Sequence, residues 1–193
     1  MTKFILGGGY IQKATDGGKA FAEAVVDGFD QPVRILVCAF ARPQDAWEET
    51  LQNDKQFFAS MLRVKTLLTL ATPENFLEQL DKTDAVYFKG GRTRTLITLL
   101  EKCPGWEKKL KGKTVAGSSA GVNFLAKQYY SLDELKAYDG LGILPIKALV
   151  HYRSDYNAPN IDWNKAHHEL QNSGDEDLEI LRLREGEFKI VEQ

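Results

Sequence analysis

The sequence predicts a three-layer α/β fold, a mainly parallel sheet with helices on both faces, in one domain over residues 1–193. Three observations point to it. Short β-type apolar runs alternate with longer amphipathic segments through the first two thirds of the chain, the order of repeated β-then-α units. The run "VRILVCAF" (Val33–Phe40) is almost continuously apolar, as a strand covered on both faces must be. The runs "KFILGG", "DAVYFKGG" and "KTVAG" end in glycine, which permits a tight turn at the end of a strand.

Each element follows in order. "KFILGG" (Lys3–Gly8) reads as the first strand, and "GKAFAEAVVDGF" as a helix with Phe21, Ala24 and Val25 on one face. After the Val33–Phe40 strand, Pro43 opens a helix in which Trp47, Leu51, Phe58 and Leu62 recur at helical intervals. "VKTLLTLA" (Val64–Ala71) is the third strand, followed by a helix with Thr72 as N-cap and Pro73 at its first position. "DAVYFKGG" (Asp84–Gly91) is the fourth strand and "TRTLITLLEKC" (Thr93–Cys103) the next helix. "KTVAG" is the fifth strand, and "SAGVNFLAKQ" is expected to continue as a helix. From about Ser131 loop signals increase, with β-type runs at "KALVHY", "LEILRLR" and "FKIVE".

Composition narrows the function. The 193 residues are 43% hydrophobic and 27% charged, with a net charge of −2, which suits a globular protein with a sizeable core. Balanced charge, 25 Lys+Arg against 27 Asp+Glu, gives no general positive field for nucleic acid; Lys108, Lys109, Lys111 and Lys113 read as a solvated turn. The two cysteines make no disulfide framework, and Cys38 reads as a buried strand residue. The N-terminal apolar stretch is too short for a signal peptide and no run has transmembrane length, so a cytoplasmic protein without membrane contact is expected. No cofactor is implied. A dinucleotide reading of Gly7-Gly8-Gly9 fails because Gln12 stands where the third glycine belongs, and no phosphate-binding loop occurs. His-Glu-x-x-His and Cys-x-x-Cys spacings are both absent, so no metal is expected. The glycine run reads instead as a tight turn lining the crevice at the end of the sheet. Trp47, Trp106 and Trp163 read as packing residues.

The chemistry concentrates in "TVAGSSAGVNFLA" (Thr114–Ala126), where Gly117-Ser118-Ser119-Ala120-Gly121 fits Gly-x-Ser-x-Gly with Ser119 at its centre. In a strand–turn–helix elbow the central residue takes a strained backbone conformation that holds its hydroxyl above the sheet. Free N–H groups at the start of the following helix favour negative charge on a tetrahedral intermediate. Small glycine turns at strand ends are also common; the flanking strand and helix are what favour the catalytic reading, and Ser118 is off the pattern's centre. A serine nucleophile needs a base, and there are three histidines. His167 and His168 lie in the polar stretch "DWNKAHHELQ" and read as surface residues, whereas His151 ends the run "KALVHY" at the mouth of a strand. That position suits a general base and a structural histidine equally.

Several segments, in order along most of the chain, resemble the dipeptidase E and cyanophycinase family of serine peptidases, the aspartyl dipeptidase group, whose fold is similar to class I glutamine amidotransferases. They are "AFARPQDAWEET", "YFKGGRTRTLITLL", "GSSAGVN", "GLGILPIKALVHY" and "LREGEF". The resemblance implies that Ser119 is the nucleophile, His151 the general base and Glu185 the carboxylate that orients it. It implies an oxyanion hole made by the backbone N–H groups of Gly91 and Ala120. It also implies a further acidic residue after the serine, for which Asp133 and Glu134 are equally spaced candidates. Glu185 is equally consistent with a plain turn residue, since Glu-Gly pairs are common at hairpin tips. The expected activity is hydrolysis of short peptides through an acyl-enzyme, with a small peptide as the partner.

The sequence departs from the family pattern at two loop positions, Lys89 for a glycine and Arg92 for an asparagine. The stretch "NIDWNKAHHEL", where aspartyl-specific members carry arginines, has Lys165 as its only cation; Arg153 nearby is a substitute candidate. N-terminal aspartate specificity is therefore not carried over. Three rival readings stand beside the peptidase. An esterase of the α/β-hydrolase type would use Asp133 or Glu134 before His151, but the chain is short for that fold and lacks an HGGG-type loop. A non-catalytic binding module on the same scaffold is suggested by Lys89 and Arg92. Glutamine amidotransfer normally needs a cysteine at the elbow, where Ser119 stands.

Overall fold

The structure is a computed structural model and describes residues 1–154 and 161–193. In chain order the elements are β1 (Lys3–Gly7), α1 (Lys19–Val26), β2 (Val33–Cys38), α2 (Trp47–Met61), β3 (Thr66–Leu70), α3 (Phe76–Asp81), β4 (Ala85–Phe88), α4 (Thr93–Leu100), β5 (Thr114–Ser118) and α5 (Ala120–Asn123). They continue with β6 (Ala126–Ser131), β7 (Lys136–Asp139), β8 (Leu144–Leu149), α6 (Trp163–Gln171), β9 (Ile180–Arg182) and β10 (Phe188–Glu192). The main sheet has six strands in the order β10-β1-β5-β4-β2-β3. Five are mutually parallel, and β10 closes one edge antiparallel to β1.

The sheet is covered on both sides because its strands are apolar on both faces. Ile5, Ile35, Ala85, Tyr87 and Ala116 face Phe21 and Val25 of α1 and Phe57 and Phe58 of α2. Their neighbours Leu6, Leu36, Cys38, Val86, Phe88 and Val115 face the opposite core, with Phe76 and Leu80 of α3, Leu96 and Leu100 of α4, and Trp106. Strand side chains alternate between faces, so one apolar run supplies both layers. The fold is α/β with a mainly parallel sheet and helices on both sides, as the alternating runs predict. The edge strand β3 differs: its residues are alternately half-buried and exposed, with Leu67 exposed.

A second sheet, not anticipated from the sequence, has four strands in the order β7-β6-β8-β9, with β7 antiparallel at its edge. It arises where the helix expected over Ser119–Gln128 stops after one turn. The carbonyls of Phe124 and Leu125 accept N–H groups from Leu141 (2.8 Å) and Leu144 (2.8 Å) instead of continuing the helical ladder. Gly140 lies so close that a Cβ there would sit 2.2 Å from the Ala126 carbonyl oxygen. Tyr129 and Tyr130 then prefer the pleat, and Tyr129 stacks on Tyr138 of β7 at 6.1 Å. Thr72 also behaves differently from expectation. Pro73–Asn75 forms a 3-10 turn before α3, and the Thr72 hydroxyl accepts from the Asn75 side chain (3.3 Å) rather than capping a backbone N–H.

The parallel strands β1, β4 and β5 end at one rim of the main sheet. Open α/β sheets bind ligands at that rim. Here it carries the Gly7–Tyr10 turn, the Lys89–Arg92 loop and Ser119.

Candidate active site

Ser119 occupies the sharp junction between β5 and α5, with φ 54° and ψ −111°. A non-glycine residue in that region costs about 1–3 kcal/mol and persists only where its surroundings hold it. Three contacts do so. The Ser119 N–H donates to the Gly7 carbonyl at the end of β1 (3.0 Å). A Cβ on Gly117 would lie 2.0 Å from the Gly121 oxygen, and one on Gly121 would lie 2.1 Å from the Phe88 oxygen. Both glycines of the Gly-x-Ser-x-Gly pattern are thus required by close backbone approach. Because α5 is only four residues long, its macrodipole is small; individual N–H groups, not a helix field, are what the elbow offers.

His151 follows β8, also at positive φ (52°), with its N–H donated to the Gly8 carbonyl (2.9 Å). Its Nε2 lies 3.0 Å from Ser119 Oγ and its Nδ1 lies 3.0 Å from Glu185 Oε1. A carboxylate only accepts, so the proton sits on Nδ1 and the Nε2 lone pair faces the serine hydroxyl. Glu185 stands in the turn before β10, where the Gly186 N–H donates to the Gly9 carbonyl (3.0 Å). The glycine run after β1 thereby brackets serine, histidine and glutamate together through its backbone oxygens.

The Glu185 carboxylate is saturated with donors. Oε1 also accepts from Ser154 Oγ (2.6 Å), and Oε2 pairs with Lys13 Nζ. Burial opposes its ionisation, but hydrogen bonds from Lys13, Ser154 and His151 outweigh that and hold its pKa below the ordinary glutamate value. The Tyr10 ring meets the His151 ring edge-on at 5.7 Å, and Lys13 Nζ sits 5.1 Å from the Tyr10 ring centre. Lys13, Ser154 and Tyr10 escaped the sequence reading. Lys13 and Glu185 are 172 residues apart, and no local pattern joins them.

A cavity of about 1080 Å³ opens over Ser119 and His151, bordered by Tyr10, Arg42, Lys89 and Asp133 among others. Gly91 (φ 150°) also lines it. Among the described residues, no acceptor takes the N–H of Gly91 or of Ala120. Lys89 is buried at the end of β4, 2.6 Å from Asp54 Oδ1 and 4.0 Å from the Tyr87 ring centre. Burial disfavours its charge, yet Tyr87 and Asp54 beside it prevail and keep its pKa above the ordinary lysine value. No group of three His, Cys, Asp or Glu side chains that could hold a metal occurs among the described residues.

The model of peptidase family S51 matches residues 11–192. The chain belongs to peptidase family S51. It is accordingly a serine-type peptidase, a hydrolase. A similar solved structure, at 1.5 Å, is that of a candidate peptidase E protein from Listeria monocytogenes EGD-e. It shares 16% identity over 100% of this chain and 99% of that one, with a TM-score of 0.67, and shows the common fold. Comparison with curated proteins finds no match.

In this S51 peptidase, Ser119, His151 and Glu185 converge, and the Gly91 loop and Ala120 flank them. Asp133 borders the cavity, while Glu134 lies 4.0 Å from Arg94. Among the described residues neither reaches the His151 ring, whose Nδ1 is taken by Glu185. Arg153 is exposed and lies over the Tyr152 ring at 5.2 Å, and Lys165 is exposed on α6. Asn160, at the start of the stretch containing Lys165, lies outside the described residues. His168 is exposed as expected; His167 is half-buried, its Nδ1 without a partner among the described residues. No helix among the described residues is long and apolar enough to cross a membrane.

Proposed function

We propose that this peptidase hydrolyses short peptides, dipeptides among them, through a Ser119–His151–Glu185 triad and an acyl-enzyme. The observation that carries the reading is the 3.0 Å approach of His151 Nε2 to Ser119 Oγ at a strained elbow. His151 takes the hydroxyl proton as Oγ attacks the scissile carbonyl, then gives that proton to the departing amine. A water activated by the same ring releases the acid and restores Ser119. Glu185 holds the Nδ1 tautomer and stabilises the imidazolium formed in each half-reaction. The N–H groups of Gly91 and Ala120 receive the oxyanion; removal of one such donor typically costs about 10²–10³ in kcat. A cavity of about 1080 Å³ suits a small ligand rather than a folded protein.

A dipeptide panel with varied N-terminal residues, assayed on wild type and on Ser119→Ala, tests this. The variant should keep its fold and lose about 10³-fold or more in kcat. Activity retained in Ser119→Ala but lost in Ser118→Ala would move the nucleophile to Ser118.

A further inference from the structure

We infer that Arg42 is a positioning residue for the oxyanion hole: its guanidinium aims and polarises the Gly90–Gly91 peptide, whose N–H belongs to that hole. The inference rests on the triad reading above. Arg42 Nε donates to the Gly90 carbonyl at 3.1 Å. That carbonyl and the Gly91 N–H are the two ends of one trans peptide unit, so they point in opposite directions. Holding the oxygen against Arg42 turns the N–H away from it. Gly90 flanks the serine, since a Cβ on it would sit 3.3 Å from Ser119 Cβ and 3.9 Å from Oγ.

Arg42 is itself fixed at three points. Its Nη1 donates to Thr50 Oγ1 (3.1 Å) on α2, its carbonyl accepts the Trp47 indole N–H (2.9 Å), and its N–H donates to Ala39 (2.8 Å). The next link of the loop is held too, with the Arg92 N–H on the Ala41 carbonyl (2.8 Å). A Cβ on Gly91 would lie 2.2 Å from that same carbonyl oxygen, so only glycine lets the loop lie this close. A charged donor on an amide oxygen strengthens the hydrogen bonds made by the N–H of the same amide. Among the described residues no carboxylate forms an ion pair with Arg42, and its guanidinium donates to Gly90 and Thr50. The α2 helix thus controls the catalytic rim through one guanidinium, although neither Thr50 nor Arg42 belongs to the triad.

The test is phosphonylation of Ser119 by a small alkyl fluorophosphonate, which carries no carboxylate for Arg42 to bind. Oγ forms a bond to phosphorus, fluoride leaves with the P–F electron pair, and the serine proton passes to His151, with the phosphoryl oxygen in the hole. Arg42→Ala should slow labelling by about 10–100-fold, and lower kcat on dipeptides by a similar factor with KM nearly unchanged. Added methylguanidinium should restore part of both. Thr50→Val, which only loosens the guanidinium, should show a smaller loss of the same kind. Labelling of Arg42→Ala at the wild-type rate, with KM alone raised, would make Arg42 a substrate-binding residue and overturn the inference. Should Arg42→Ala fail to fold, Thr50→Val labelled at the wild-type rate overturns it equally. Failure of wild type to label at Ser119 is a different result: it removes the triad reading, and the inference with it.

Discussion

Glu185 accepts from His151, Ser154 and Lys13 at once, and this multiplicity decides how it can act. An ionised carboxylate held by three donors is restrained against the imidazole, and in the proposed mechanism it would offer negative charge where His151 becomes positive. Glu185→Gln keeps the size but loses the charge, so kcat should fall by about 10²-fold or more, while Asp133→Asn and Glu134→Gln stay near wild type. Comparable losses at all three positions in a steady-state assay would leave Glu185 no special role. Its lowered pKa carries a stability consequence with a definite sign. Because the folded value lies below the unfolded one, near 4.5, the stabilisation is complete above that pH and is lost as pH falls through the folded value. The Tm advantage of wild type over Glu185→Gln should therefore be steady near neutrality and shrink below about pH 4.5. An advantage that grows on acidification would contradict it.

The elbow is an element whose chemistry follows from backbone crowding. Gly121 lets α5 lie against the end of β4, where a methyl group would collide with the Phe88 carbonyl at 2.1 Å. Gly121→Ala should cost about 1–3 kcal/mol by forced displacement and should also reduce kcat, because the shift moves Ser119 itself. Denaturant titration together with a dipeptide assay separates this from Ser119→Ala, which should lose activity at nearly constant stability. The elbow was legible because Gly-x-Ser-x-Gly between a strand and a helix is a local pattern. The length of the following helix was not. Ala120–Gln128 has acceptable helical spacing, and only the distant amides of Leu141 and Leu144 end it after one turn. β6 and β7 form a local hairpin, with Ser131 opposite Lys136 and Gln128 opposite Asp139, and were hidden because the helical spacing runs on through Gln128 into β6.

For the whole molecule, the site depends on the core beneath the rim. Phe88 contacts Phe124 at 4.6 Å, Trp106 at 6.0 Å and Phe76 at 6.4 Å between ring centres, joining β4 and the elbow to the helical layer. Phe88→Ala should cost about 3–5 kcal/mol, as burial lost plus the cavity left behind. In a chain of this length that lowers Tm by about 10 °C, measurable by calorimetry. A change of only a degree or two would mean that the cluster collapses onto the gap. By itself the sequence determined the parallel α/β sheet, because continuous apolar strands can be satisfied only between two covering layers. It also determined the elbow serine, since Gly117 and Gly121 are demanded by chain geometry at one point. Tertiary structure alone decided that Glu185, not Asp133 or Glu134, lies against His151, and that Lys13 and Ser154 reach Glu185 while Arg42 reaches the Gly90 carbonyl at the same rim. Those residues meet through space across as many as 172 positions, and contacts at such separation leave no periodicity or spacing to read.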